Sequence, residues 1–136
     1  MAIDYGRKRV GFAVTDENKI IATPLKTIGT KDVFIFLKDY LAKEVVEVIV
    51  IGEPRQMNNE RSESVKFIDP FYRKLIKEFP GTKVDRYDER FTSKMASQVI
   101  ATSGLKKKDR QSKELIDQVS AVLILQSYMQ YLKNSN

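Results

Sequence analysis

The chain has 136 residues, 42% of them apolar, which is enough to bury one hydrophobic core but too few for two ordinary domains. It contains no cysteine and no histidine. These absences exclude disulfide frameworks, thiolate zinc sites, Ser-His-Asp and Cys-His hydrolases and His-based metalloproteases, so any chemistry must use carboxylates, lysines, tyrosines or hydroxyls. The formal net charge of +6 fits a polyanionic partner, although simple solubility explains it equally well.

No apolar stretch reaches the roughly 18 residues of a membrane span, and the first residues lack the charged and apolar regions of a signal peptide. We therefore expect a cytoplasmic protein with no membrane partner. We also expect residues 1–136 to form a single domain.

The first third of the chain has the pattern of a β-meander followed by a helix. Strands are predicted up to Asp4, over residues 9–15 and over residues 20–28, with turn residues between them. Apolar residues at helical spacing then predict a helix over residues 31–43.

The rest of the chain begins with a near-continuous apolar run, residues 45–51, which is typical of a buried parallel strand. The remaining elements are predicted in this order: a helix over residues 62–79 that Pro70 should kink or divide, a strand over 83–87, a helix over 92–102, a basic loop, and a final helix ending near Leu132. The whole order predicts an α/β domain, a mixed sheet with helices on both faces. If the parallel strand lies beside the first one, carboxylates at their carboxyl ends share one crevice.

Asp4 is the first candidate for chemistry, because it ends a strand and is followed by Gly6 and by the cations Arg7, Lys8 and Arg9. A strand-end aspartate beside a glycine is often only a turn residue. Three neighbouring cations fit a metal-bridged phosphate better than a plain hairpin.

Glu89 and Asp117 are the other two candidates. Glu89 follows the last predicted strand and precedes a helix that Thr92 can cap, so it lies at the same strand-end crevice. Asp117 shares a helix face with Ala121, Ile124 and Tyr128, so a charge stands at the end of an apolar stripe. Such a carboxylate needs a cation, hydrogen bonds or protonation, and a salt bridge to a Lys or Arg is the alternative to a metal.

Three carboxylates without a histidine fit a hard divalent cation, Mg²⁺ or Mn²⁺, which prefers oxygen ligands. A two-metal arrangement, with ions roughly 3.5 to 4 Å apart, would activate water at one ion and stabilise the leaving oxygen at the other. Such a site explains catalysis without a histidine base.

Three blocks of sequence resemble the YqgF/RuvX family in order and spacing: Asp4-Tyr5-Gly6-Arg7-Lys8-Arg9-Val10-Gly11, Asp88-Glu89-Arg90-Phe91-Thr92-Ser93 and Asp117-Gln118-Val119-Ser120-Ala121. The resemblance implies a ribonuclease H-like fold with a five-stranded mixed sheet, and a cytoplasmic enzyme that is a Holliday junction resolvase or a nuclease maturing the pre-16S rRNA end. It also implies that Asp4, Glu89 and Asp117 form the acidic triad. RNA is favoured over branched DNA on this resemblance alone.

The chain departs from the family at Gly52-Glu53-Pro54, where Gly-Leu-Pro is usual. Glu53 is either an auxiliary metal ligand or a solvated loop glutamate paired with Arg55. We favour the loop interpretation.

The expected nucleic-acid surface consists of basic residues: Arg7, Lys8, Arg9, Arg55, Arg90, Lys106, Lys107, Lys108 and Arg110. Two alternatives to an RNA-processing nuclease stay open. A resolvase should act as a dimer so that two sites face paired strands, whereas a non-catalytic binding protein would assist ribosome assembly. The sequence leaves a monomer and a homodimer equally open.

Overall fold

A computed structural model describes residues 1–18, 20–53, 65–88 and 113–134. Its elements, in chain order, are β1 (Ala2–Tyr5), β2 (Arg9–Thr15), β3 (Ala22–Gly29), a 3-10 turn (Thr30–Asp32), α1 (Val33–Lys43), β4 (Val48–Glu53), α2 (Val65–Glu78), β5 (Lys83–Asp88) and α3 (Lys113–Asn134). The predicted helix over residues 92–102 and the basic loop lie outside the described residues.

The five strands form one sheet in the order β3-β2-β1-β4-β5. β1 pairs antiparallel with β2, and β2 with β3, as expected of a meander. β1 pairs parallel with β4, and β4 with β5. The prediction of a mixed sheet is therefore confirmed, and the apolar parallel strand does lie beside the first strand.

Helices cover both faces of the sheet, as predicted, because side chains alternate along each strand. One face carries large side chains that pack against α1 and α2: Ile3, Val10, Phe12, Ile49 and Ile51 meet Val33, Leu37, Ile68, Phe71 and Leu75. The other face carries small ones that pack against α3: Ala2, Ala13 and Val50 meet Ala121, Ile124, Leu125 and Tyr128. Fully burying a side chain such as Ile124 contributes about 1.5–3 kcal/mol.

The apolar stripe predicted for the last helix is thus confirmed, since Ala121, Ile124 and Tyr128 are all buried against the sheet. The alanines of the sheet face allow α3 to approach closely. Asp117 stands at the end of this stripe nearest the start of the helix.

One predicted strand start and one predicted helix break differ from the structure. β4 begins at Val48 rather than at residue 45, and Val45 is 96% exposed, so the apolar run includes a loop residue. Helix α2 runs through Pro70 without division, because Pro70 lies in its first half and removes only the hydrogen bond to the carbonyl of Lys66. Within the ranges given above, no helix has the length and apolarity to cross a membrane.

Candidate functional site

Asp4 and Asp117 are brought together by the docking of α3 on the sheet. Asp4 lies in β1 directly opposite Gly11 of β2, on the face that α3 covers. A Cβ at position 11 would lie 2.6 Å from the carbonyl carbon of Asp117 and 3.1 Å from its Cβ. The missing side chain of Gly11 therefore lets the backbone of α3 approach the strand beside Asp4.

The two carboxylates interact electrostatically. Burial, and then the negative charge of Asp117, raise the pKa of Asp4 from 3.8 to about 7. Near neutral pH, the metal-free protein therefore contains both the protonated and the ionised form of Asp4. A pair of partly desolvated carboxylates of this kind is stabilised by a cation.

Arg9 supplies one such cation. Its Nε atom lies 2.8 Å from Oδ2 of Asp117, and both side chains are partly buried. The contact joins residues 108 positions apart. The salt bridge considered as the alternative for Asp117 is thus present, and Arg9 points into the site, whereas Arg7 and Lys8 are exposed.

Glu53 requires a correction. It is not a solvated loop residue, because it is the last residue of β4 and only 8% exposed. Its Oε2 atom lies 3.1 Å from Nε of Arg86 in β5. Arg86 in turn places an NH1 atom 2.6 Å from Oδ1 of Asp69 in α2. Glu53 is therefore paired with Arg86. Arg55, the partner expected from the sequence, lies outside the described residues.

The structure also separates Glu53 from Asp4. Glu53 follows Ile49 and Ile51 in strand alternation, and both isoleucines face α1 and α2. Asp4 follows Ala2, which faces α3. The two carboxylates therefore project from opposite faces of the sheet.

Sequence reasoning missed two residues near the predicted site, Thr30 and Phe67. Thr30 hydrogen-bonds the loop that follows β1, and Phe67 lies under the guanidinium of Arg7. The only sequence signal for Phe67 was its spacing of four residues from Phe71, which places both on one face of α2.

The remaining predicted site residues lie outside the described ranges: Glu89, Arg55, Arg90, Lys106, Lys107, Lys108 and Arg110. Among the residues that the structure does describe, there is no group of three acidic side chains that could hold a metal ion. Two of the three proposed ligands are close together, since the charge of Asp117 contributes to the raised pKa of Asp4.

The fold and the paired aspartates define a small α/β domain of the ribonuclease H-like class. The chain belongs to the RuvX family, whose model, described as Holliday junction resolvase, matches residues 1–131. The resemblance seen in the three sequence blocks is therefore confirmed.

Curated relatives match almost the whole chain. A Flavobacterium psychrophilum protein is 53% identical over 129 residues, covering 95% of this chain and 94% of that protein. A Bacteroides thetaiotaomicron protein is 53% identical over 130 residues, with 96% and 94% covered. A Flavobacterium johnsoniae protein is 56% identical over 129 residues, with 95% and 94% covered. Each of the three is named "Putative pre-16S rRNA nuclease".

Proposed function

We propose that this protein is a divalent-metal-dependent nuclease of the cytoplasm that hydrolyses phosphodiester bonds at the end of pre-16S rRNA. The observation that carries the proposal is the meeting of Asp4 and Asp117 at the carboxyl end of β1, where burial and the negative charge of Asp117 raise the pKa of Asp4. The names of the relatives support ribosomal RNA as the substrate.

Asp4 and Asp117, with Glu89, are the proposed metal ligands. The donor set consists of carboxylate oxygens, which suit Mg²⁺ or Mn²⁺. The raised pKa of Asp4 fits this role, since a bound cation would offset both the burial and the repulsion from Asp117. When bound, such ions supply an activated water and stabilise the leaving oxygen. Glu53 is not among the proposed ligands, because it faces the other side of the sheet.

The protein's own side chains have separate tasks in this proposal. Arg9 holds the carboxylate of Asp117 in place through the 2.8 Å ion pair. Arg7 and Lys8 are exposed on the loop after Asp4 and are proposed to bind backbone phosphates. Asp4 gives up its proton when the site is loaded, which its pKa of about 7 makes easy near neutral pH.

The test is a set of parallel cleavage assays on a pre-16S rRNA fragment, a DNA four-way junction and single strands, with Mg²⁺ or Mn²⁺. Asp4→Asn and Asp117→Asn should keep the fold and lose most activity, because the amide keeps the size but not the charge. Asp39→Asn is the matched control, since Asp39 is an exposed aspartate of α1 that forms an ion pair with Lys43 one turn further along the helix. Cleavage by Asp117→Asn with unchanged metal dependence would contradict the ligand assignment.

The family description also keeps a resolvase as the second candidate. Preferential, symmetric cutting of the four-way junction by a dimer would favour it, so the native mass should be measured at the assay concentration. RNA binding without cleavage under any metal would instead indicate a ribosome-assembly factor that is not an enzyme.

A further inference from the structure

Thr30, the first residue of the 3-10 turn that follows β3, holds the loop after β1 in place. The hydroxyl of Thr30 donates a hydrogen bond to the carbonyl of Gly6 at 2.8 Å. The backbone N–H of Thr30 donates to the carbonyl of Lys8 at 3.0 Å. The backbone is therefore fixed on both sides of Arg7.

The side chain of Arg7 is fixed as well. Its guanidinium carbon lies 4.0 Å from the ring centroid of Phe67, which is a cation–π contact. One turn further along α2, Phe71 stacks on Tyr5 of β1, with ring centroids 4.1 Å apart and planes 17° apart. Tyr5 therefore contacts Phe71, and Arg7 contacts Phe67 one turn earlier in α2. The pair of Arg7 and Phe67 is open to solvent, since Phe67 is 38% exposed.

We propose that Phe67 and Thr30 are positioning residues that hold Arg7 as a preorganised phosphate-binding cation beside the site of Asp4. This inference rests on the proposed nucleic-acid function. A guanidinium that lies over a ring keeps N–H groups available at its edge, which is how arginine binds phosphate oxygens. An arginine already confined in this way loses less conformational entropy when it binds a phosphate.

The three consecutive cations therefore have different roles. Arg9 is paired with Asp117 inside the site, and Arg7 is held at the surface by Phe67. Lys8 is exposed, and its carbonyl is the acceptor of the Thr30 hydrogen bond. The structure thus distinguishes Arg7, whose side chain is held on a ring, from its neighbours in a run that the sequence shows only as basic.

The experiment measures binding of a short, mixed-sequence, single-stranded RNA in EDTA over a series of salt concentrations. Phe67→Leu should weaken binding about three- to fivefold with an unchanged salt slope, because the charge stays and only its fixation is lost. Arg7→Gln should weaken binding and reduce the salt slope by about 0.7, the value of one phosphate contact on a single strand. In the Arg7→Gln background, Phe67→Leu should have no further effect.

Two further variants serve as controls, and a third is a second test of the inference. Phe67→Tyr keeps the ring and should bind as the unaltered protein does. Ile76→Ala removes another exposed apolar side chain of α2, 44% exposed, and should leave RNA binding unchanged. Thr30→Val removes only the hydroxyl and should weaken binding in the same Arg7-dependent way, so it tests the inference even where Phe67→Leu lowers the melting temperature too far.

Two results would overturn the inference. If Phe67→Leu weakens RNA binding equally with and without Arg7, the ring contacts a nucleobase directly. If Phe67→Leu does not weaken RNA binding at all, Arg7 needs no support from the ring. Binding without metal-dependent cleavage would contradict the proposed nuclease but leave this inference standing. Failure of the unaltered protein to bind RNA would overturn both.

Discussion

The backbone of Asp117 lies directly against Gly11, so that any side chain at position 11 would overlap the carbonyl group of Asp117. Gly11 is also the residue paired with Asp4 across β1 and β2. One glycine therefore sets the separation between the strand that carries the first aspartate and the helix that carries the second.

Gly11→Ala should lower the free energy of unfolding by about 1–3 kcal/mol, since α3 must move away from the sheet to admit the methyl group. Activity should fall as well, because the two aspartates separate. Gly81→Ala is the matched control, because a Cβ there meets nothing within 4 Å. Chemical denaturation of both variants provides the measurement, and equal stabilities of the two would show that the contact at Gly11 is unimportant.

Asp4→Asn should stabilise the metal-free protein at high pH. The pKa of Asp4 is raised from 3.8 to about 7 in the folded state, so the folded protein keeps a proton that the unfolded chain releases between these values. The contribution of Asp4 is therefore most favourable below pH 4 and is lost as the pH rises through 7. Between pH 4 and 7, the free energy of unfolding of the variant should therefore rise relative to that of the unaltered protein, by at most about 4 kcal/mol.

Urea denaturation in EDTA from pH 4 to 8 measures this difference, and subtracting the two curves removes the titration of all other groups. A difference that does not depend on pH would mean that Asp4 ionises normally. Mg²⁺ should raise the stability of the unaltered protein more than that of the variant.

Arg9→Met should tighten Mg²⁺ binding while it lowers the stability of the metal-free protein by about 1 kcal/mol. Without Arg9, the two carboxylates lose the cation that lies 2.8 Å from Asp117. A bound metal ion then neutralises more uncompensated negative charge, so its binding is more favourable. Titration calorimetry with MgCl₂ gives the affinity, and Lys8→Met is the control for loss of a neighbouring exposed cation. Unchanged Mg²⁺ affinity in Arg9→Met would indicate that Arg9 acts on phosphate rather than on Asp117.

Glu53→Leu should destabilise the protein by about 1–3 kcal/mol, because it leaves the buried guanidinium of Arg86 without one of its carboxylates. Mg²⁺ affinity should not change, since Glu53 faces away from Asp4. The double variant with Arg86→Leu should lose less than the sum of the single changes. Asp39→Ala breaks an exposed ion pair and should cost less than about 0.5 kcal/mol.

The two interpretations of Glu53 predict opposite changes in stability for Glu53→Leu. Thermal melts without metal therefore distinguish them. A metal ligand that repels Asp4 would make Glu53→Leu more stable than the unaltered protein. If Glu53→Leu is more stable and also binds Mg²⁺ more weakly, Glu53 is a metal ligand after all.

The fold could be predicted where patterns are local. The meander follows from alternating apolar residues and turns, and the near-continuous apolar run over residues 45–51 identifies the parallel strand that lies beside β1. Helical spacing placed Asp117 on the same face as Ala121, Ile124 and Tyr128, and all three are buried as expected.

The side-chain partners could not be predicted, because they depend on contacts between distant residues. Arg9 meets Asp117 only after α3 docks on the sheet, and Glu53 meets Arg86 only across two parallel strands. The predicted strand ends at residue 51, before Gly52, whereas β4 continues to Glu53. Alternation through that glycine would have placed Glu53 with Ile51 and away from Asp4.

The position of α3 as the last described element affects how the protein matures during synthesis. A ribosome makes β1 with Asp4 before α3 with Asp117, and domains acquire their tertiary contacts as the chain emerges. The cluster of Ala2, Ala13 and Val50 with α3 cannot form before that helix has been made. A growing chain therefore carries an incomplete pair of aspartates until α3 has left the ribosome, and only then would the proposed metal site be able to form.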